Sequence, residues 1–205
     1  MQRLFFVALL VLLMSFLGTL GGGPPDTRDL TAAEQSAMLN LVEKTLRSQK
    51  LWQGKIYLTN IEVVPDNRAK PPERYALVSY YRYEGDLVIR ATVHLARMTV
   101  TDVQLHEHMP ASLAPEELVE AEKIARTNPD VKKALAKYKH VDKIEVDAMV
   151  AQIALPEVPG YHHRVIRLFF RDDKRNYLQS VPMVDVDLTT GEVRLDLIAN
   201  MHKKN

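Results

Sequence analysis

The stretch from Val181 to Ile198, VPMVDVDLTTGEVRLDLI, alternates apolar and polar residues on both sides of a Thr-Thr-Gly break. Successive side chains on a strand point to opposite faces, so Val184, Val186 and Leu188 share one face and Asp185 and Asp187 the other. Beyond the break, Val193, Leu195 and Leu197 oppose Arg194 and Asp196 in the same way. The pattern predicts an antiparallel hairpin with one face closing a core and a solvated aspartate face opposite. A sheet that buries only one face needs a helical layer to cover it.

The helices are present, and the plan occurs twice. Thr31 followed by Glu34 forms a capping box ahead of Met38, Leu41, Val42 and Leu46, which fall on one helical face. Ala114, Pro115 and Glu117 hold the same frame ahead of Leu118, Ala121 and Ala125, with proline suited to a first helical position where no amide partner is needed. Asn128-Pro129 then opens a short helix bearing Val131, Ala134, Leu135 and Tyr138. Each helical region precedes four strand-like segments. In the first half these are Ile56–Val64, Tyr75–Tyr83, Leu87–Leu95 and Thr99–Leu105; in the second they are Val141–Ile153, Arg164–Arg171, Tyr177–Leu188 and Glu192–Ile198.

The segment His94–Val100 aligns with Asp187–Val193, although Met98 stands where the second copy has Gly191, which predicts a turn of another type. The expected fold class is therefore α+β, as two tandem units with a helix on a four-stranded antiparallel sheet, at residues 28–109 and 112–200, followed by a tail at 201–205. Pro65–Glu73 reads as a loop, His106–Ser112 as the connection between units, and the acidic pair Asp172-Asp173 as a turn.

The first 25 residues are different. Gln2 and Arg3 precede fourteen uncharged residues from Leu4 to Leu17, then a Gly- and Pro-rich stretch. This is the layout of an export signal, with cleavage after Gly21 or retention of residues 4–20 as an anchor both open. The rest of the chain is expected outside the cytoplasm, periplasmic or extracellular, and at a membrane only if that segment is retained. A net charge of +1 with Lys and Arg interspersed among acids leaves no basic stripe for phosphates, which excludes nucleic acid as a partner class. The absence of cysteine rules out disulfides, thiol chemistry and Cys-based zinc sites.

Histidines are the remaining metal candidates. His106 and His108, two apart on a strand, would share a face, and His94 is the third ligand a neighbouring strand could supply. The adjacent His162 and His163 diverge in an extended chain and chelate poorly. Ser79, Ser112 and Ser180 lack a nucleophile elbow. Tyr80, Tyr81 and Tyr83 read as strand formers with hydroxyls at the sheet rim, or as an aromatic contact surface. No cofactor is expected.

The stretch LAPEELVEAEKIARTNPDVKKAL, Leu113 to Leu135, followed by VPMVDVDLTTGEV, resembles the second of the two small N-terminal domains of copper amine oxidases; DLTAAEQ, Asp29 to Gln35, is similar to the start of the first. The resemblance spans about Asp29 to Ile198. It implies cystatin-like α+β domains and a non-catalytic role, because oxidation in that family belongs to a larger C-terminal domain with a tyrosine-derived quinone and three histidine copper ligands. Asn176-Tyr177 is followed by Leu178 instead of an acid, so the quinone role does not carry over to Tyr177. The inhibitory Gln-x-Val-x-Gly wedge of cystatins is missing too, since Gln152 is followed by Ile153, Ala154, Leu155 and Pro156. The expected function is an exported accessory or protein-interaction module, binding another protein or a second copy. The alternatives are an accessory or split subunit of a copper- and quinone-dependent primary-amine oxidase, and a histidine metal module using His94, His106 and His108.

Overall fold

The computed structural model describes residues 30–66, 73–172, 176–178, 181 and 183–195. The segment 1–25 and the tail 201–205 lie outside the described residues, as do most of the Pro65–Glu73 loop, Asp173, Ser180 and the end of the last expected strand. No described helix is long and apolar enough to cross a membrane.

Helix α1 spans Ala32–Ser48. Thr31 Oγ1 accepts the Glu34 amide at 3.2 Å and Glu34 Oε2 accepts the Thr31 amide at 2.8 Å, so the capping box closes in both directions. Met38, Val42 and Leu46 are fully buried against a sheet of β1 (Ile56–Asp66), β2 (Glu73–Arg82), β3 (Leu87–His94) and β4 (Thr99–Glu107), paired antiparallel in chain order. Ala76, Val78 and Tyr80 of β2 with Ile89, Ala91 and Val93 of β3 complete this core.

The second unit repeats the order with α2 (Pro115–Thr127), α3 (Pro129–Leu135), β5 (Glu145–Ala151), β6 (Val165–Arg171), β7 (Val184–Asp187) and β8 (Val193–Leu195), again antiparallel in chain order. Ala121, Ala125, Val131 and Leu135 pack on Ile166, Leu168, Phe170, Val184 and Val186. Full burial of a Val, Leu or Ile side chain contributes about 1.5–3 kcal/mol, so each unit carries its own apolar core.

Several expectations are corrected. Val141–Lys143 is a 3₁₀ turn and the strand that follows stops at Ala151, because Ala151 opposes Val165, the first residue of β6, and nothing on β6 remains to pair beyond it. The strand expected over Tyr177–Leu188 is reduced to one bridge, Tyr177 with Arg171, and then β7. In between, the Leu178 amide donates to Phe170 O at 2.9 Å and the Val181 amide folds back onto Leu178 O at 2.9 Å, a turn that breaks the ladder. β4 continues to Glu107, so the connection begins at His108.

The turns expected to differ between the repeats do differ in their backbone bond, the Met98 amide donating to Leu95 O and the Gly191 amide to Asp187 O, but they share a left-handed residue. Met98 adopts φ +46° where Gly191 adopts +79°, and a side chain accepts a hydrogen bond in each turn. The solvated aspartate face is also overturned: Asp185 and Asp187 are 2% and 1% exposed. They do point away from the core, but Arg167 forks onto Asp185 at 2.7 and 2.8 Å. The loop before β6 covers Asp187, whose Oδ2 lies 2.7 Å from His163 Nδ1. Tyr80 and Tyr81 are buried at 4% and 2% exposure, Tyr80 under α1 and Tyr81 on the opposite face, so neither hydroxyl sits at a solvated rim.

Candidate functional site at the junction of the repeats

The register sets His94 opposite Tyr75 and Asp187 opposite Val165, and the amides that follow, Leu95 and Leu188, donate to Arg74 O at 3.0 Å and Arg164 O at 2.8 Å. Hence Arg74 is equivalent to Arg164, Glu73 to His163 and His94 to Asp187. His94 Nδ1 accepts the Arg97 amide at 3.2 Å as Asp187 Oδ1 accepts the Thr190 amide at 3.2 Å. Each repeat then joins an acid to a histidine at these positions with the roles exchanged. His94 Nε2 lies 3.3 Å from Glu73, and His163 Nδ1 lies 2.7 Å from Asp187. The bond from the Tyr75 hydroxyl at 2.8 Å, with His94 close by, holds the Glu73 carboxyl below its usual range.

A second equivalence lies at the helix starts. Glu34 and Glu117 are the capping glutamates, and each meets the arginine that precedes or opens the second strand of its repeat. Arg74 is 3.7 Å from Glu34 in a partly exposed contact. In the second repeat the contact is buried: Arg164 is 3% exposed, and its Nε and Nη2 fork onto Glu117, which is fully buried, at 2.9 and 2.7 Å. The same guanidinium donates to Ala111 O at 3.0 Å and Ser112 O at 2.7 Å, and lies 4.4 Å over the Tyr81 ring. Glu117 also accepts the Ala114 amide at 2.9 Å and the Tyr83 hydroxyl at 2.7 Å.

This cluster joins the first sheet, the connection and the second unit at one point. Burial, then the neighbouring Glu117, raises the Tyr83 hydroxyl well above the normal phenol range, and burial with the bond to Asp86 does the same for Tyr81. Beside it, Lys55 Nζ pairs with Glu120 at 2.7 Å while lying 4.2 Å over the Tyr83 ring, a second tie between the units.

A cleft of about 260 Å³ opens next to this clamp. Tyr81 donates to Asp86 Oδ1 at 2.7 Å, and Asp86 Oδ2 lies 2.9 Å from His108 Nδ1. The His108 ring stacks at 3.6 Å on His162, which stacks at 3.8 Å on Tyr161. Asp86, His108 and His162 have φ of +46°, +56° and +58°, left-handed backbone that costs an ordinary residue about 1–2 kcal/mol.

The three proposed metal ligands are not brought together. His106 opposes Val88 and His94 opposes Thr99, which places them six residues apart along β3, on the order of 20 Å. His108 lies beyond β4 with its backbone turned, so it does not continue the His106 face. Among the described residues no three His, Asp or Glu side chains are grouped to hold a metal. His162 and His163 diverge as expected, one to the stack and the other to Asp187. Sequence reasoning missed the roles of Glu117, Arg164 and Asp86. For Glu117 a signal existed in the sequence, since it holds the capping position that Glu34 holds in the first repeat and an arginine, Arg74 or Arg164, precedes or opens the second strand of each.

No family model matches the sequence, and no curated protein matches it. Among solved structures the chain is similar to a copper-containing benzylamine oxidase from Hansenula polymorpha, at 16% identity over 81% of this chain with a TM-score of 0.56. The match covers 29% of that oxidase chain. At this identity the likeness is one of fold: two small tandem α+β units of the kind found in part of an amine oxidase.

Proposed function

We propose that this chain is an exported, non-catalytic accessory module that acts by binding another protein. The observation that carries the reading is the repetition of its polar contacts. The acid–histidine and glutamate–arginine contacts occur at equivalent positions in both units, which marks them as parts of the shared architecture, and Glu117 and Arg164 of the second unit additionally hold Tyr83 and Tyr81 of the first. Large apolar side chains stand at the surface instead, with Val119 67% and Tyr177 60% exposed.

The likeness to part of an amine oxidase favours one more specific reading, an accessory subunit docking on a separately encoded copper–quinone chain. One experiment tests both. The chain from Asp26 onward, which contains every described residue, is cross-linked in the envelope fraction of its own organism and its neighbours are identified by mass spectrometry. Recovery of a copper–quinone chain supports the subunit reading, and recovery of other envelope proteins supports the general one. Primary-amine oxidation by the purified chain alone overturns both.

A further inference from the structure

The outer edge of the first sheet has a feature the proposed function does not use. β4 is a nine-residue edge strand, TVTDVQLHE, without the proline or lysine that commonly blunts such edges. Leu105 is 48% exposed on it, on the face that carries the core. Its backbone phase is fixed by the His108 amide, which donates to Asp86 O at 2.8 Å. Alternation then directs residues 106 and 104 at β3 and turns the N–H and C=O groups of Val103, Leu105 and Glu107 outward, toward a strand position that no described residue fills.

We propose that β4 pairs antiparallel with β4 of a second copy of this chain, about a two-fold axis at Gln104, to form one continuous eight-stranded sheet. In this register Val103 faces Leu105 of the other copy twice, and these are the residues whose backbone groups point outward. Asp102 faces His106 twice as a non-hydrogen-bonded pair, the type with the closer side chains. Centring the axis on Val103 opposes Asp102 to Gln104, and centring it on Leu105 opposes Gln104 to His106. The Gln104 axis joins both apolar residues and sets each Asp102 carboxylate opposite a His106 imidazole at once. The contact is a short strand edge, so the dimer is transient.

Because the chain has no cysteine, disulfide trapping reads the register directly. In the full-length protein, Gln104→Cys sets a thiol opposite itself at a Cα separation of about 4.5 Å, inside the range of about 4.4–6.8 Å that a disulfide spans. Under mild oxidation Gln104→Cys gives a covalent dimer, while Thr99→Cys, which faces no strand residue of the other copy, does not. Both side chains are exposed, so neither change threatens the fold.

Adding His106→Glu to Gln104→Cys opposes two carboxylates, and adding Asp102→Lys instead sets an ammonium donor against the imidazole in place of its carboxylate partner. Each lowers trapping about tenfold, and mixing the two doubly substituted proteins restores it by pairing Lys with Glu. Equal trapping at positions 99 and 104, or none at 104, overturns the pairing. Trapping at 104 that ignores the charge changes overturns this register.

Discussion

Replacing Arg164 by Met tests the junction directly. The change removes the guanidinium from Glu117, which is fully buried, and among the described residues leaves the carboxylate the Ala114 amide and Tyr83 hydroxyl as donors. It also strips the Ala111 and Ser112 carbonyls of the Arg164 donors. Breaking one partner of a buried ion pair costs about 3–5 kcal/mol, and for a chain of this size that lowers the melting temperature by roughly 10 °C. The location of the loss can be read separately from its size. Trp52 is the single tryptophan, packs edge-on against Tyr80 in the first core at 5.1 Å, and so reports that unit alone, whereas circular dichroism reports both. In urea the two signals coincide for the wild type. In Arg164→Met the dichroism transition begins at lower urea than the Trp52 transition, because the second unit has lost its tie to the first. A loss below about 1 kcal/mol with coincident transitions refutes the clamp.

Four further outcomes are expected. Gly191→Ala meets no described residue within 4 Å and costs only the left-handed strain at φ +79°, about 1 kcal/mol by urea denaturation. Gly160→Ala costs more than twice as much, since its Cβ would lie 2.7 Å from Arg194 Nη2 and 2.8 Å from Val165 Cγ2. Thr31→Ala removes the acceptor of the Glu34 amide and costs about 1 kcal/mol, seen in the Trp52 transition. Burial raises the Tyr80 hydroxyl from 10.0 to about 12. The fold therefore favours its neutral form, so this stability is intact below pH 10 and is lost between pH 10 and 12, with phenolate absorbance rising as the Trp52 signal changes.

Much of the fold was legible because its signals are local. Thr31 and Glu34 announce a helix start by side-chain chemistry that reaches three residues, and the apolar faces of α1, α2 and α3 follow from helical spacing. The strands of the first unit were read to within a few residues from alternation alone. Misreadings gathered where the partner lies far away in sequence. Asp185 and Asp187 look like a wet face until Arg167 and His163 are laid over them from another strand and loop. Tyr81 looks like a rim residue until Arg164 is set over its ring. Met98 gave no warning of a left-handed turn, because the hydrogen bond from the Arg97 amide to His94 supports a conformation that the residue type disfavours.

The sequence by itself determined the two-unit α+β plan, the helix caps, the apolar faces and the equivalence of His94–Val100 with Asp187–Val193, since propensity and periodicity act over a few residues. Only the tertiary structure decided that the capping glutamate of α2 lies at the centre of the junction. It likewise exchanged the acid and histidine between the two copies, and separated His94 from His106 along β3. Those outcomes depend on which distant strands are neighbours and on which charges lose their water when the units meet. Burial of that kind is a property of the assembled fold and has no local signature in the chain.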